Sequence, residues 1–144
     1  MYIAIDFDGT LAKHEFPEIG EEVPDAFHWL RRFQEHGAKL FLWTMRGFAD
    51  NMKDKDHPLS NAYLDYLTPA LEFCYARGIT FIGYNENPLE TWSQSNKQYA
   101  HLYIDDAAFG CPLIYPEEGR PYVNWKIVGP AVLNMIIDYN NSEK

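Results

Sequence analysis

Short apolar runs that end in polar or acidic residues alternate along this chain with stretches of helical period. Residues 2–5 (YIAI) are four apolar positions stopped by Asp6, the pattern of a strand buried on both faces. Residues 11–23 carry Pro17, Gly20 and charges of both signs, and read as a turn or small hairpin. Pro24 then opens a helix that Gly37 closes, with Ala26, Phe27, Leu30 and Phe33 at helical spacing. Residues 40–43 (LFLW) are a second buried strand, and 47–59 are polar, without period, and predict a loop. Ser60 can cap a helical stretch carrying Tyr63, Leu64 and Leu67; Thr68-Pro69 either kinks it or caps a second helix running to Gly78. Residues 79–84 (ITFIGY) predict a third strand, whose exit is marked by Asn85-Glu86-Asn87-Pro88. Residues 89–99 hold at most a short helix, and 101–104 (HLYI) are a fourth strand that ends at Asp105-Asp106. The Gly- and Pro-rich residues 107–126 predict a long loop or short extended segment, and Gly129-Pro130 starts a last helix carrying Val132, Leu133, Met135 and Ile136. Trp29, Tyr63 and Phe73 sit where they are expected to pack.

Strands alternating with crossovers of this length predict an α/β fold, a three-layer Rossmann-like domain with a mainly parallel sheet. At 144 residues the expectation is one domain over 1–144. Lys and Arg number 12 against 21 Asp and Glu, a net charge of −9, which disfavours broad nucleic-acid binding and adhesion to anionic membranes. Cys74 and Cys111 form no close motif, no apolar run approaches ~20 residues, and Asp6 and Asp8 fall where a secretory signal needs apolar residues. A cytoplasmic location is therefore expected.

In such sheets ligands sit beyond the carboxyl ends of the strands, and the informative residues gather there. The first strand runs into Asp6-Phe7-Asp8-Gly9-Thr10, the second into Thr44-Met45-Arg46, and the fourth into Asp105-Asp106, with Lys97 just upstream of the fourth. In extended backbone Asp6 and Asp8 project to one side and Phe7 to the other. Acids gathered at one edge repel, and a hard divalent cation relieves that repulsion; Mg²⁺ takes oxygen ligands and keeps waters that a phosphate can replace. Cation, Lys97 and the Thr44 hydroxyl together make a cradle for a phosphoryl group. Arg46, Asn85 and Asn87 are candidate substrate contacts on the same edge. His14 and His57 lie in loops and read as surface residues.

Asp-x-Asp-Gly-Thr after the first strand, then Thr44, Lys97 and Asp105-Asp106 in that order, resemble the haloacid dehalogenase (HAD) superfamily of phosphohydrolases over residues 2–106. The resemblance implies a phosphatase acting on a phosphomonoester, with Asp6 as nucleophile forming an aspartyl-phosphate and Asp8 as acid/base. It implies phosphate binding by Asp6, Thr44 and Lys97. It also implies Mg²⁺ held by Asp6, the Asp8 carbonyl and one carboxylate of Asp105 and Asp106, with Asp106 slightly preferred. Because 11–23 and 88–96 are too short to fold alone, the resemblance is to a capless member with an open site. A phosphorylated small molecule is the expected partner, with a phosphorylated macromolecule also able to approach. A phosphotransferase and a non-catalytic phosphate- or metal-binding module on the same scaffold are the alternatives. A receiver-like phosphoacceptor is the weaker rival, since the third strand ends in Tyr84-Asn85 without its Asp.

Overall fold

The computed structural model describes residues 1–47 and 65–143. Most of the expected 47–59 loop, His57, the Ser60 cap and Tyr63 therefore lie outside the described residues. The elements are β1 (Tyr2–Ile5), α1 (Ala26–Glu35), β2 (Lys39–Leu42), α2 (Leu67–Tyr75), β3 (Phe81–Tyr84), β4 (Leu102–Ile104), β5 (Leu113–Ile114), β6 (Tyr122–Val123) and α3 (Trp125–Ser142). Four strands form a parallel sheet in the order β3-β2-β1-β4, with Ile3 opposite Leu40 on one side and Leu102 on the other. The expected α/β fold with a mainly parallel sheet is the fold observed.

Strand alternation decides what each face buries. Ile3, Ile5, Leu40, Leu42 and Ile104 join Leu30 and Phe33 of α1, Ala70 and Cys74 of α2, and Trp125, Val132 and Ile136 of α3 in one apolar cluster. Each fully buried aliphatic or aromatic side chain there contributes about 1.5–3 kcal/mol. The opposite face carries Tyr2, whose ring meets Phe41 at 5.7 Å and Tyr99 at 6.2 Å. There the covering layer is the irregular β3–β4 crossover rather than a helix. Gln98 of that crossover donates to the carbonyls of Leu42 and Glu86 at 3.2 and 2.8 Å.

Two helix starts have identifiable causes, one local and one distant in sequence. Asp65 Oδ1 accepts the backbone N–H groups of Leu67 and Thr68 at 2.9 and 3.0 Å, so α2 begins just before Thr68-Pro69, with the proline in its first turn. The start expected for the last helix, Gly129-Pro130, is a correction: α3 begins at Trp125 and carries Pro130 in its interior. Trp125 is fully buried and donates its indole N–H to the Thr10 carbonyl at 2.8 Å, which fixes the chain four residues earlier. The carbonyl that Pro130 leaves without an N–H partner is that of Lys126, on the exposed side of the first turn. Gly129 serves packing: a Cβ there would lie 2.3 Å from the Trp29 ring of α1. Residues 107–124 hold the antiparallel pair β5–β6. Among the described residues no helix is long and apolar enough to cross a membrane.

Candidate functional site

The turn after β1 is built around Phe7, whose buried ring meets Phe73 edge-on at 5.9 Å. Its carbonyl accepts the N–H groups of Thr10 and Leu11 at 3.2 and 2.9 Å, which folds the chain back sharply. Gly9 adopts φ +85°, and a Cβ there would lie 2.1 Å from His14 Nε2 and 2.3 Å from Asp106 Oδ2. Glycine is needed both for the backbone and for the side chains that close over it.

This turn brings Asp6 to the end of β4. Asp6, Asp105 and Asp106 each offer an oxygen within 4.8 Å of the others. Thr10, fully buried, joins them: its hydroxyl donates to Asp6 Oδ2 at 3.0 Å and accepts the Asp106 N–H at 3.2 Å. Burial, then the negative charge of Asp105, push the Asp6 carboxyl up to about 8; the Thr10 hydrogen bond opposes this and Asp106 adds to it. Asp105 is raised too, first by burial, with the Ala107 N–H opposing and Asp106 adding. Three clustered carboxylates, with Asp6 and Asp105 raised in proton affinity, suit a hard divalent cation, whose charge would relieve their mutual repulsion.

An open cleft of about 430 Å³ is lined by Asp6, Trp43, Thr44, Met45, Asn85, Asn96 and Asp105. Thr44 thus shares a cavity with Asp6 and Asp105. Asn85, at φ +56°, accepts the Thr44 N–H through Oδ1 at 2.8 Å and donates to the Arg46 carbonyl at 3.3 Å. It lines the cleft, and its amide holds the turn after β2 in place.

Three expected site residues go elsewhere. Lys97 is exposed, and its ammonium lies 5.1 Å from the Tyr103 ring centroid, with no ion pair to an acid among the described residues. Asn87 is buried, donates to the Tyr99 carbonyl at 2.9 Å and accepts the Leu89 N–H at 2.9 Å, so its amide braces the crossover rather than facing a ligand. Arg46 is only 2% exposed and grips both oxygens of Asp8, Nε to Oδ2 and Nη2 to Oδ1, each at 2.8 Å. Three backbone carbonyls take its remaining donors, so it is no open-edge substrate contact. Asp8 is accordingly held beside Arg46, and its side chain is not one of the three clustered acids.

Thr10 carries no role legible from composition or order alone, although a hydroxyl four residues beyond Asp6 in a tight turn is a signal. His14, which reads from sequence as a surface residue, is not one. His14 Nε2 lies 2.8 Å from Asp106 Oδ2, and both side chains are 14% exposed. That contact spans 92 positions of sequence and has no local signature.

The fold and site define an α/β domain with a parallel sheet and an acidic, cation-suited cleft at its carboxyl edge. Among solved structures, the chain is similar to a conserved protein coded by a locus from Bacteroides thetaiotaomicron, at 33% identity and a TM-score of 0.68, over 94% of this chain and 91% of that one. At that identity and coverage the chain belongs to the same family as the Bacteroides protein. No protein-family model matches the chain, and no curated protein does.

Proposed function

We propose that this protein is a magnesium-dependent phosphohydrolase of the HAD type, acting on a phosphomonoester through an aspartyl-phosphate. The observation that carries the reading is the convergence of Asp6, Asp105 and Asp106 within 4.8 Å, with Asp6 and Asp105 lining a cleft that also holds Thr44. Asp6, Asp105 and Asp106 are the side chains that would hold Mg²⁺. Bound there, Mg²⁺ offsets the negative charge of the acids and of the phosphoryl oxygens.

An Asp6 carboxylate oxygen attacks phosphorus, and the bond from phosphorus to the ester oxygen breaks. Asp8 gives its proton to the departing alkoxide, so the leaving group exits as the alcohol. Water then attacks the aspartyl-phosphate, surrenders a proton to Asp8, and releases inorganic phosphate with Asp6 restored. The Thr10 hydrogen bond fixes one Asp6 oxygen throughout, and the Thr44 hydroxyl binds phosphoryl oxygens. A phosphorylated small molecule is the substrate class best matched to a cleft of about 430 Å³. The free Cys74 and Cys111 support a reducing, cytoplasmic setting.

The position of Lys97 favours a second reading, a phosphate- or metal-binding module without turnover, because catalysis on this plan needs its ammonium to leave the Tyr103 ring and reach Asp6. One experiment separates the two: phosphate release from a broad panel of phosphate esters, with Mg²⁺ and with chelator. Mg²⁺-dependent release supports the hydrolase. Mg²⁺ binding in calorimetry with no release from any ester supports the binding module.

A further inference from the structure

We propose that Arg46 is the positioning residue of the acid/base Asp8, a role that rests on reading the site as a phosphohydrolase. A guanidinium has five N–H donors in a rigid fork. In Arg46, Nε and Nη2 each bond one Asp8 oxygen at 2.8 Å, a bidentate pair that fixes both the position and the plane of the carboxylate. Nη2 also donates to the Glu18 carbonyl at 2.7 Å, and Nη1 to the carbonyls of Pro17 at 3.1 Å and Tyr66 at 3.4 Å. All five donors end on this protein, which leaves none for a substrate anion.

The fork is itself fixed from three directions. Its backbone N–H donates to the Thr44 hydroxyl at 3.1 Å, its guanidinium stacks between the rings of Phe7 and Phe16 at 5.1 and 5.0 Å, and its carbonyl anchors come from the 11–23 segment and the entry to α2. The 11–23 segment is thus a brace that aims Arg46, more than a flap over the cleft. Each Asp8 oxygen spends one acceptor direction on the fork and keeps another, so a proton can still be passed while the carboxyl group is held. A lysine at this position offers a single charged centre and cannot reproduce the fork.

The test measures kcat and KM with Mg²⁺ on an aryl phosphate for the wild type, Arg46→Lys, Asp8→Asn and the double variant, with thermal melting to verify folding. The expected result is that Arg46→Lys lowers kcat about 10–100-fold with KM within about twofold, as misplacement of a catalytic group does. In the Asp8→Asn background the same change costs less than about threefold, because no carboxyl group remains to be aimed. Wild-type kcat in Arg46→Lys, or the same loss in both backgrounds, overturns the proposal. Asp8→Glu keeps Arg46 and shifts the carboxyl by one methylene. If Arg46→Lys does not fold, Asp8→Glu must show the same kcat-selective loss, and wild-type kcat there overturns the proposal. Absence of phosphate release by the wild type removes the hydrolase reading and this inference with it, whereas release with Arg46→Lys unaffected removes the inference alone.

Discussion

Asp6 and Asp8 stand two residues apart, yet their surroundings balance a negative charge in opposite ways. Around Asp6 the neighbours are more acids, Asp105 and Asp106, with the Thr10 hydroxyl as the opposing hydrogen bond, and the carboxyl is pushed up to about 8. Around Asp8 a buried arginine supplies the compensating charge and a fixed plane for both oxygens. One half of the motif carries its own counter-charge, and the other is built to receive one. That asymmetry suits a reaction in which one acid binds cation and phosphoryl group while its neighbour handles protons.

The largest expected effect comes from removing the acid that has no internal counter-charge. Asp6→Asn lowers phosphate release by at least about 10³-fold, the scale of losing a nucleophile. The same substitution raises the melting temperature of metal-free protein at pH 8, because it deletes a charge that burial disfavours. Both readouts belong to one variant, and a stabilised, inactive protein is the combined outcome expected.

Breaking the other side of the comparison costs stability. Arg46→Met strips Asp8 of its partner and leaves the carbonyls of Pro17, Glu18 and Tyr66 without their donor. Removing one member of a buried pair costs about 3–5 kcal/mol. Chemical denaturation checks this, and a loss below about 1 kcal/mol would contradict the burial argument. From sequence Arg46 is a candidate substrate contact; with every donor engaged internally, the kinetic loss expected from its removal falls on kcat.

A smaller effect is expected at His14, which holds Asp106 from the 11–23 segment. His14→Asn weakens Mg²⁺ binding by about 10-fold, as loss of a partner that orients a metal ligand does, and calorimetric titration with Mg²⁺ measures it without reference to turnover. Unchanged affinity would make the contact structural.

A last expected effect is a slope against pH. The folded protein keeps the Asp6 proton up to about 8 while the unfolded chain loses it near 3.8, so the folded state binds more protons across that window. Stability of the metal-free protein therefore falls as pH rises from about 4 to 8. Melting curves in chelator should decline over this range, and Mg²⁺ should recover most of the loss at the upper end.

Local rules made part of this legible. Tyr2–Ile5 begins and ends where its apolar run does, and strand–helix alternation carries the parallel sheet and the carboxyl edge where Asp6, Thr44 and Asp105 meet. What stayed hidden depends on contacts distant in sequence. The Arg46 donors end on Asp8, Pro17, Glu18 and Tyr66, groups 20 to 38 positions away, and no spacing rule joins them. Lys97 follows a segment without helical period, so nothing local fixes where its long side chain points. The start of α3 is hidden because proline ordinarily opens helices, whereas the Trp125–Thr10 bond acts across 115 positions.

The most direct test of the account is to trap the covalent intermediate. The protein is mixed with an aryl phosphate and Mg²⁺, quenched in acid within the first turnovers, digested and mapped by mass spectrometry. The account predicts one phosphoryl group on the peptide containing Asp6, assigned to Asp6 by fragmentation and missing when chelator replaces Mg²⁺ or Asn replaces Asp6. A phosphoryl group on Asp8, or sustained phosphate release by Asp6→Asn, would contradict it.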